Sequence, residues 1–285
     1  YVTLELSSYQ LENADELKLD LAALTFLSAN HLERYPNLDS YYETKWKIVK
    51  QTRDSVFFNP NGGDLKAYVH KKSDKKLLMA NLKTAGITEN FLNSCLLVGP
   101  HNRDNIILAA SVLHKISQTP KVFDSLSTYP GLPHRQEYLG TNISGIHFIN
   151  DSKATAIESV ESSIQTALND RRFKGLIYLL LGGRDKNLPW SGLKKSLQNQ
   201  PRVRPFFFGE SARLIKEKTE SIGPLFEKLE PSIIEISKVA RAEDLVLLSP
   251  GGTSLDEFKS FEHRGLLFQD YCVKYFKLEP RRNKE

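Results

Sequence analysis

The chain has 285 residues, 40% of them hydrophobic, and 39 Lys and Arg against 34 Asp and Glu give a formal charge of +5. A chain this long buries a sizeable core and tends to divide into two compact domains, because single cores stop growing beyond roughly 250 residues. The charges are interspersed, the one dense basic run (Lys71 to Lys76) is short, and neither an RNA-binding aromatic motif nor zinc-finger spacing accompanies it, which argues against a nucleic-acid protein. No apolar run approaches the roughly 18 residues of a membrane span. Cys95 and Cys272 stand far apart without metal-ligand spacing, which reads as two core thiols in a reducing, cytoplasmic compartment.

In chain order, Tyr1 to Leu6 and Leu19 to Leu27 read as apolar strands followed at once by polar groups, Ser7, Ser8 and Gln10 after the first and Asn30 and His31 after the second. The chain opens directly on a strand pattern with no turn or cap before it, as if cut from something longer. Leu38 to Gln51 has helical periodicity, Ser55 to Phe58 reads as a strand, and the charged segment Asp64 to Leu82 as a β-hairpin whose solvated tip is the basic run. Arg103 to Ile116 and Val122 to Ser127 are expected helices, and the Tyr129-Pro130-Gly131 break marks the boundary between domains 1–130 and 131–285. Beyond it, IHFIN, LIYLLLGG, VRPFFFG, SIIEI and LVLLSPGG are short apolar runs separated by helical segments, the βαβ rhythm of a parallel sheet. The expected fold is α/β, a partial central domain with a mostly parallel sheet followed by a Rossmann-like C-terminal domain, with Glu279 to Glu285 as a frayed end.

Ligands of open α/β sheets bind beyond the carboxyl ends of the strands, so the polar clusters there are the candidates for chemistry. The strongest is Gly131 to Thr155, which sets GLPHR ahead of the strand GIHFI and NDSKAT after it, gathering Arg135, Asp151, Lys153 and Thr155. Glu5 and His31 are donors suited to a divalent cation, or else a paired core carboxylate and a surface histidine. Lys45 shares the apolar face of Leu38, Tyr41, Tyr42 and Val49; desolvation there favours a neutral amine able to form a carbamate with CO2, unless the head snorkels to water. Asn102 and Asn105 in GPHNRDN either cap a helix or face a purine edge. LLLGGRDK places Lys186 at a strand end, and LLSPGGTSLDEFKSFEHRG places Ser254 and Phe261 about a helix start; both suit an anionic small molecule and both also fit ordinary turn chemistry. No G-x-x-x-x-G-K-[ST] occurs in the 285 residues, so a triphosphate loop would have to lie upstream of Tyr1.

Together ELSSYQLE, NHLERYP, GPHNRDN, GLPHR, NDSKAT, LLLGGRDK and LLSPGGTSLDEF, in that order across the whole chain, resemble the bacterial Mur ligases. NDSKAT and ELSSYQ match the branch that adds D-glutamate to UDP-N-acetylmuramoyl-L-alanine in peptidoglycan synthesis. The resemblance implies most of a central ATPase domain and a complete amino-acid-binding domain, without the UDP-binding domain and the ATP P-loop, so that the 285 residues alone would be inactive. It implies a cytoplasmic monomer using ATP and Mg2+ with no nucleic-acid or membrane partner. Glu5 and His31 would be magnesium ligands, and Lys45 a carbamylated lysine supporting the metal, with Lys45 and His31 in the catalytic set. Asn102 and Asn105 would face the adenine. Arg135, Asp151 and Lys153 would contact nucleotide phosphate or ribose after hinge closure near Pro130. Thr155, Lys186, Ser254 and Phe261 would bind the carboxylates of D-glutamate, Phe261 through its backbone N–H. Ala156 departs from the family's frequent asparagine, and Gly251, Gly252 and Thr253 from its usual alanine-like run, which bears on the shape of the amino-acid pocket. The alternatives are another ligase of the superfamily, such as a folylpolyglutamate synthase, or a non-catalytic ligand-binding module.

Overall fold

The computed structural model describes residues 1–28, 34–117 and 121–279. They form two compact units, residues 1–95 with 101–128, and residues 96–100 with 129–285.

The first unit runs α1 (Ser8–Glu12), β1 (Leu19–Leu24), α2 (Leu38–Gln51), β2 (Thr52–Phe58), α3 (Leu65–Lys72), β3 (Leu77–Met79), α4 (Leu82–Ala85), α5 (Glu89–Ser94), α6 (Pro100–Ile116) and α7 (Lys121–Thr128), with Pro100 itself counted in the second unit. Its sheet has the order β1-β2-β3, all parallel, with Leu24 opposite Phe58 and Phe57 opposite Leu78. A capping box starts α2: the Asn37 side chain accepts from the Ser40 N–H, and the Asn37 N–H donates to Ser40 Oγ. The helix then buries Tyr41, Tyr42, Trp46 and Val49 over the sheet with Val56, Leu65 and Tyr68. The buried rings keep polar partners, Tyr42 donating to Asp64 at 2.5 Å and Tyr68 to Glu43 at 2.7 Å.

Two expectations for this unit change. Tyr1 to Leu6 is irregular, with Tyr1 to Glu5 exposed, because a strand is held by its neighbour's hydrogen bonds and no described strand pairs with it. Asp64 to Leu82 is not a hairpin. Leu65 and Tyr68, three apart, bury one face of α3, Ser73 closes that helix in the left-handed region (φ 47°), and β3 then returns parallel to β2. The basic run thus ends a helix, where lysines suit the negative pole, and Lys76 donates to the Val49 and Thr52 carbonyls.

The second unit contains β4 (Glu137–Thr141), β5 (His147–Asn150), α8 (Ile157–Asn169), β6 (Ile177–Gly182), a 3-10 turn (Trp190–Leu193), α9 (Lys194–Gln198), β7 (Val203–Phe208), α10 (Ala212–Thr219), β8 (Leu225–Phe226), α11 (Leu229–Val239), β9 (Leu245–Gly251) and α12 (Phe261–Phe276). The sheet order is β4-β5-β9-β6-β7-β8, parallel except for β4. Alternate residues serve opposite faces: Ile149, Leu179, Leu181, Leu245 and Leu247 pack with α8 and α10, while Phe148, Leu180, Val246 and Leu248 pack with α11 and α12. SIIEI is not a strand. Leu229, Ile233 and Ile236 recur at helical spacing and bury one face of α11, a period hidden when the five residues are read alone. Both cysteines are buried, and residues 280–285 of the expected frayed end lie outside the described residues.

Candidate functional site

In the second unit β9 lies between β5 and β6, with Asn150 opposite Leu248 and Gly182 opposite Gly251, so the loops after these three strands leave the sheet side by side. This is a switch point of a doubly wound sheet, where ligands bind. The loops carry Asp151 to Thr155, Arg184 to Lys186, and Gly252 to Ser254. Hydrogen bonds between their backbones fasten them: Gly251 N–H to Ala154 O at 3.0 Å, Gly252 N–H to Gly182 O at 3.2 Å, and a reciprocal Arg184–Thr253 pair at 2.9 Å each way. Close approach demands the glycines. A Cβ on Gly183 (φ 95°) would lie 2.2 Å from the Thr253 carbonyl oxygen, and one on Gly252 would lie 2.6 Å from that of Gly182.

Lys186 is exposed, presented by a turn organised around Asp185. The Asp185 carboxylate accepts from the N–H groups of Asn187 and Leu188 and from the Trp190 indole at 2.8 Å. Burial works to raise the Asp185 pKa, but these donors outweigh it and hold the carboxyl below the usual range. The charge of Asp185 is therefore satisfied internally, and the Lys186 ammonium remains available to an anionic ligand.

At the start of α12, Ser260 caps the helix by accepting from the His263 N–H, leaving the Phe261 N–H without an intrahelical acceptor. The Phe261 ring lies 5.3 Å from the Lys153 ammonium and edge-on to His134 at 6.3 Å, which brings the NDSKAT loop, GLPHR and this helix end together. Ser254 is buried beside the β9 loop, Thr155 is partly exposed, and Arg135 is exposed. Asp151 points inward. Its carboxylate accepts from Ser163 Oγ at 2.5 Å, Ser249 Oγ at 3.0 Å and the Gln136 N–H at 3.1 Å, and burial pushes its pKa up to about 6.

Beneath these loops lies a residue that sequence reasoning passed over. The Arg264 side chain is fully buried and donates to Ser152 Oγ at 3.0 Å, Ser152 O at 2.8 Å and Gly252 O at 3.1 Å, bracing the β5 and β9 loops against α12. Burial pushes its guanidinium down to about 10. The legible signal was an arginine on the face that also carries Phe261, Phe268 and Cys272, where a charge is out of place.

In the first unit Lys45 is half-buried and lines a cavity of about 80 Å3 with Leu6, Leu11, Leu24, Thr25, Tyr42 and Trp46. Its ammonium lies 5.3 Å from the Tyr41 ring centre, and burial lowers its pKa. Glu5, adjacent to cavity-lining Leu6, is exposed, and His31 lies outside the described residues. Among the described residues no three His, Cys, Asp or Glu side chains are grouped to hold a metal. Asn102 and Asn105 lie three residues apart in the first turns of α6, past Pro100 at its first position, and so neither is the helix cap.

Residues 1–94 match the model of the Mur ligase middle domain. The chain is 33% identical over 288 residues to the UDP-N-acetylmuramoylalanine--D-glutamate ligase of Buchnera aphidicola subsp. Acyrthosiphon pisum (strain Tuc7), covering 93% of this chain and 62% of that protein. The like-named protein of Fervidobacterium nodosum is 31% identical over 283 residues, with coverages of 96% and 63%. The chain thus spans 62–63% of the length of these curated relatives. Among solved structures, the MurF ligase from Thermotoga maritima in complex with ADP superposes with a TM-score of 0.55 at 15% identity, covering 94% of this chain and 65% of that one. A UDP-N-acetylmuramoyl-L-alanyl-D-glutamate--2,6-diaminopimelate ligase gives 0.62 at 16%, with coverages of 90% and 59%, and Escherichia coli FolC with ADP gives 0.52 at 17%, with 91% and 64%. Such low identities speak to the fold alone. The middle-domain match over residues 1–94, the alignment along nearly the whole chain and the shared α/β architecture together make this chain similar to the Mur ligases.

Proposed function

We propose that the chain supplies the nucleotide-binding and amino-acid-binding parts of an ATP-dependent ligase that joins D-glutamate to UDP-N-acetylmuramoyl-L-alanine in peptidoglycan precursor synthesis. The observation carrying this reading is the alignment with ligases of that name over 93% and 96% of the chain. Residues 1–130 serve ATP and residues 131–285 the incoming amino acid. Asn102 and Asn105 face the adenine, and Arg135 and Lys153 offer cations to nucleotide phosphate, with Asp151 fixing the turn between them. The diacid is held by the Lys186 ammonium, the Thr155 and Ser254 hydroxyls and the Phe261 N–H, two fixed polar ends that orient its amine toward an acyl phosphate.

Mg2+, when bound, neutralises charge on the transferring phosphate. Glu5 and His31 are its proposed ligands. A desolvated Lys45 amine fits carbamylation, which replaces a buried cation by an acidic group facing the same cavity.

Calorimetric titration of the 285-residue chain tests the amino-acid site directly: D-glutamate should bind and L-lysine should not, and equal affinity for the two overturns the reading. In the protein as the cell makes it, phosphate release from ATP should require both D-glutamate and UDP-N-acetylmuramoyl-L-alanine.

A further inference from the structure

We infer that Ser152 is a positioning residue of the amino-acid site, an inference that rests on the reading that D-glutamate binds there. Ser152 is fully buried. Its hydroxyl donates to the Phe261 carbonyl at 2.8 Å and accepts from Arg264 Nε at 3.0 Å. Its backbone is held as firmly, the N–H donating to Asn150 Oδ1 at 3.2 Å and the carbonyl accepting from Arg264 Nη2 at 2.8 Å. The hydroxyl proton is thereby committed to one direction, and the loop after β5 is tied to the first turn of α12 through it.

The consequence is geometric. Lys153 and Thr155 follow Ser152 on the loop, while the Phe261 N–H belongs to the residue whose carbonyl Ser152 holds. Two groups proposed to grip one diacid, the Thr155 hydroxyl and the Phe261 N–H, therefore have their separation held in part by a buried hydroxyl. The fixed distance is what lets both ends be engaged without the ligand ordering the loop itself. Asn150, two residues earlier at the end of β5, adds a second tie through its amide to the Gly265 carbonyl at 3.2 Å, so α12 is held at two points near its start.

The test compares Ser152→Ala and the volume-preserving Ser152→Cys with Ser232→Ala, another fully buried serine, whose hydroxyl donates to the Leu229 carbonyl on α11. D-glutamate affinity is measured by calorimetry, folding by thermal melting, and the Phe261 amide by its 15N–1H cross-peak. Both Ser152 variants should bind D-glutamate about tenfold more weakly and lose the ligand-induced shift of the Phe261 amide, while Ser232→Ala keeps affinity and shift whatever its melting temperature. Affinity within twofold of wild type and a retained Phe261 shift in a folded Ser152 variant overturn the inference. If Ser152→Ala does not fold, Ser152→Cys decides by the same two readouts, and if neither folds, a wild-type Phe261 amide that D-glutamate does not shift overturns it. Wild-type protein that binds no D-glutamate at all refutes the underlying functional reading instead.

Discussion

Replacing Arg264 by methionine removes a buried charge at nearly constant volume, and the structure sets the size of the effect. Three hydrogen bonds from a charged donor are lost, to Ser152 Oγ, Ser152 O and Gly252 O. At roughly 1.5–3 kcal/mol each they are worth about 5–9 kcal/mol together. Against this, burial depresses the guanidinium from 12.5 to about 10, and at about 1.4 kcal/mol per pH unit the charge costs about 3 kcal/mol to enclose. The hydrogen bonds win, and Arg264→Met should destabilise the second unit by roughly 2–6 kcal/mol, because two carbonyls and a hydroxyl stay buried without their donor. For a unit of this size the midpoint falls by about 2–4 °C per kcal/mol, so differential scanning calorimetry should place the variant at least ~4 °C below wild type. A midpoint unchanged or raised would mean that the desolvation cost exceeds the bracing, and the account of Arg264 as the tie under the loops would be wrong.

Asp151 makes stability pH-dependent in the direction opposite to a paired carboxylate. Its folded pKa is raised from 3.8 to about 6, so its contribution is fully present below pH 3.8 and is lost as pH rises through 6. Relative to Asp151→Asn, wild type should lose up to about 3 kcal/mol between pH 4 and pH 7, and parallel urea-denaturation midpoints for the two proteins across that range would refute the burial argument. At Lys45 the depressed pKa makes the amine a better nucleophile than exposed lysines at neutral pH. Competitive labelling with 13C-bicarbonate should give a carbamate resonance that disappears in Lys45→Arg, and an identical spectrum in the variant would count against a carbamate at this position.

Much of this architecture is legible without coordinates. The α2 helix follows from apolar residues at Leu38, Tyr41, Tyr42 and Val49, and the strands IHFIN, LIYLLLGG, VRPFFFG and LVLLSPGG from runs too continuous for one-sided burial. The polar loops at their ends mark the site for the same local reason, since the turn after a buried strand must carry residues that tolerate water and a reversed chain. Sequence failed where local signals are degenerate. SIIEI fits a strand until Leu229 extends its period, and Tyr1 to Leu6 has strand composition but no described neighbour to complete its hydrogen bonds. Only the tertiary structure decided that Asp151 turns its carboxylate inward to Ser163 and Ser249, that Asp185 satisfies itself on Trp190, and that Arg264 reaches Ser152, more than a hundred residues away in the chain. Composition states which groups are charged, but burial and partners set what each charge does, and those depend on residues that come together only when the sheet closes.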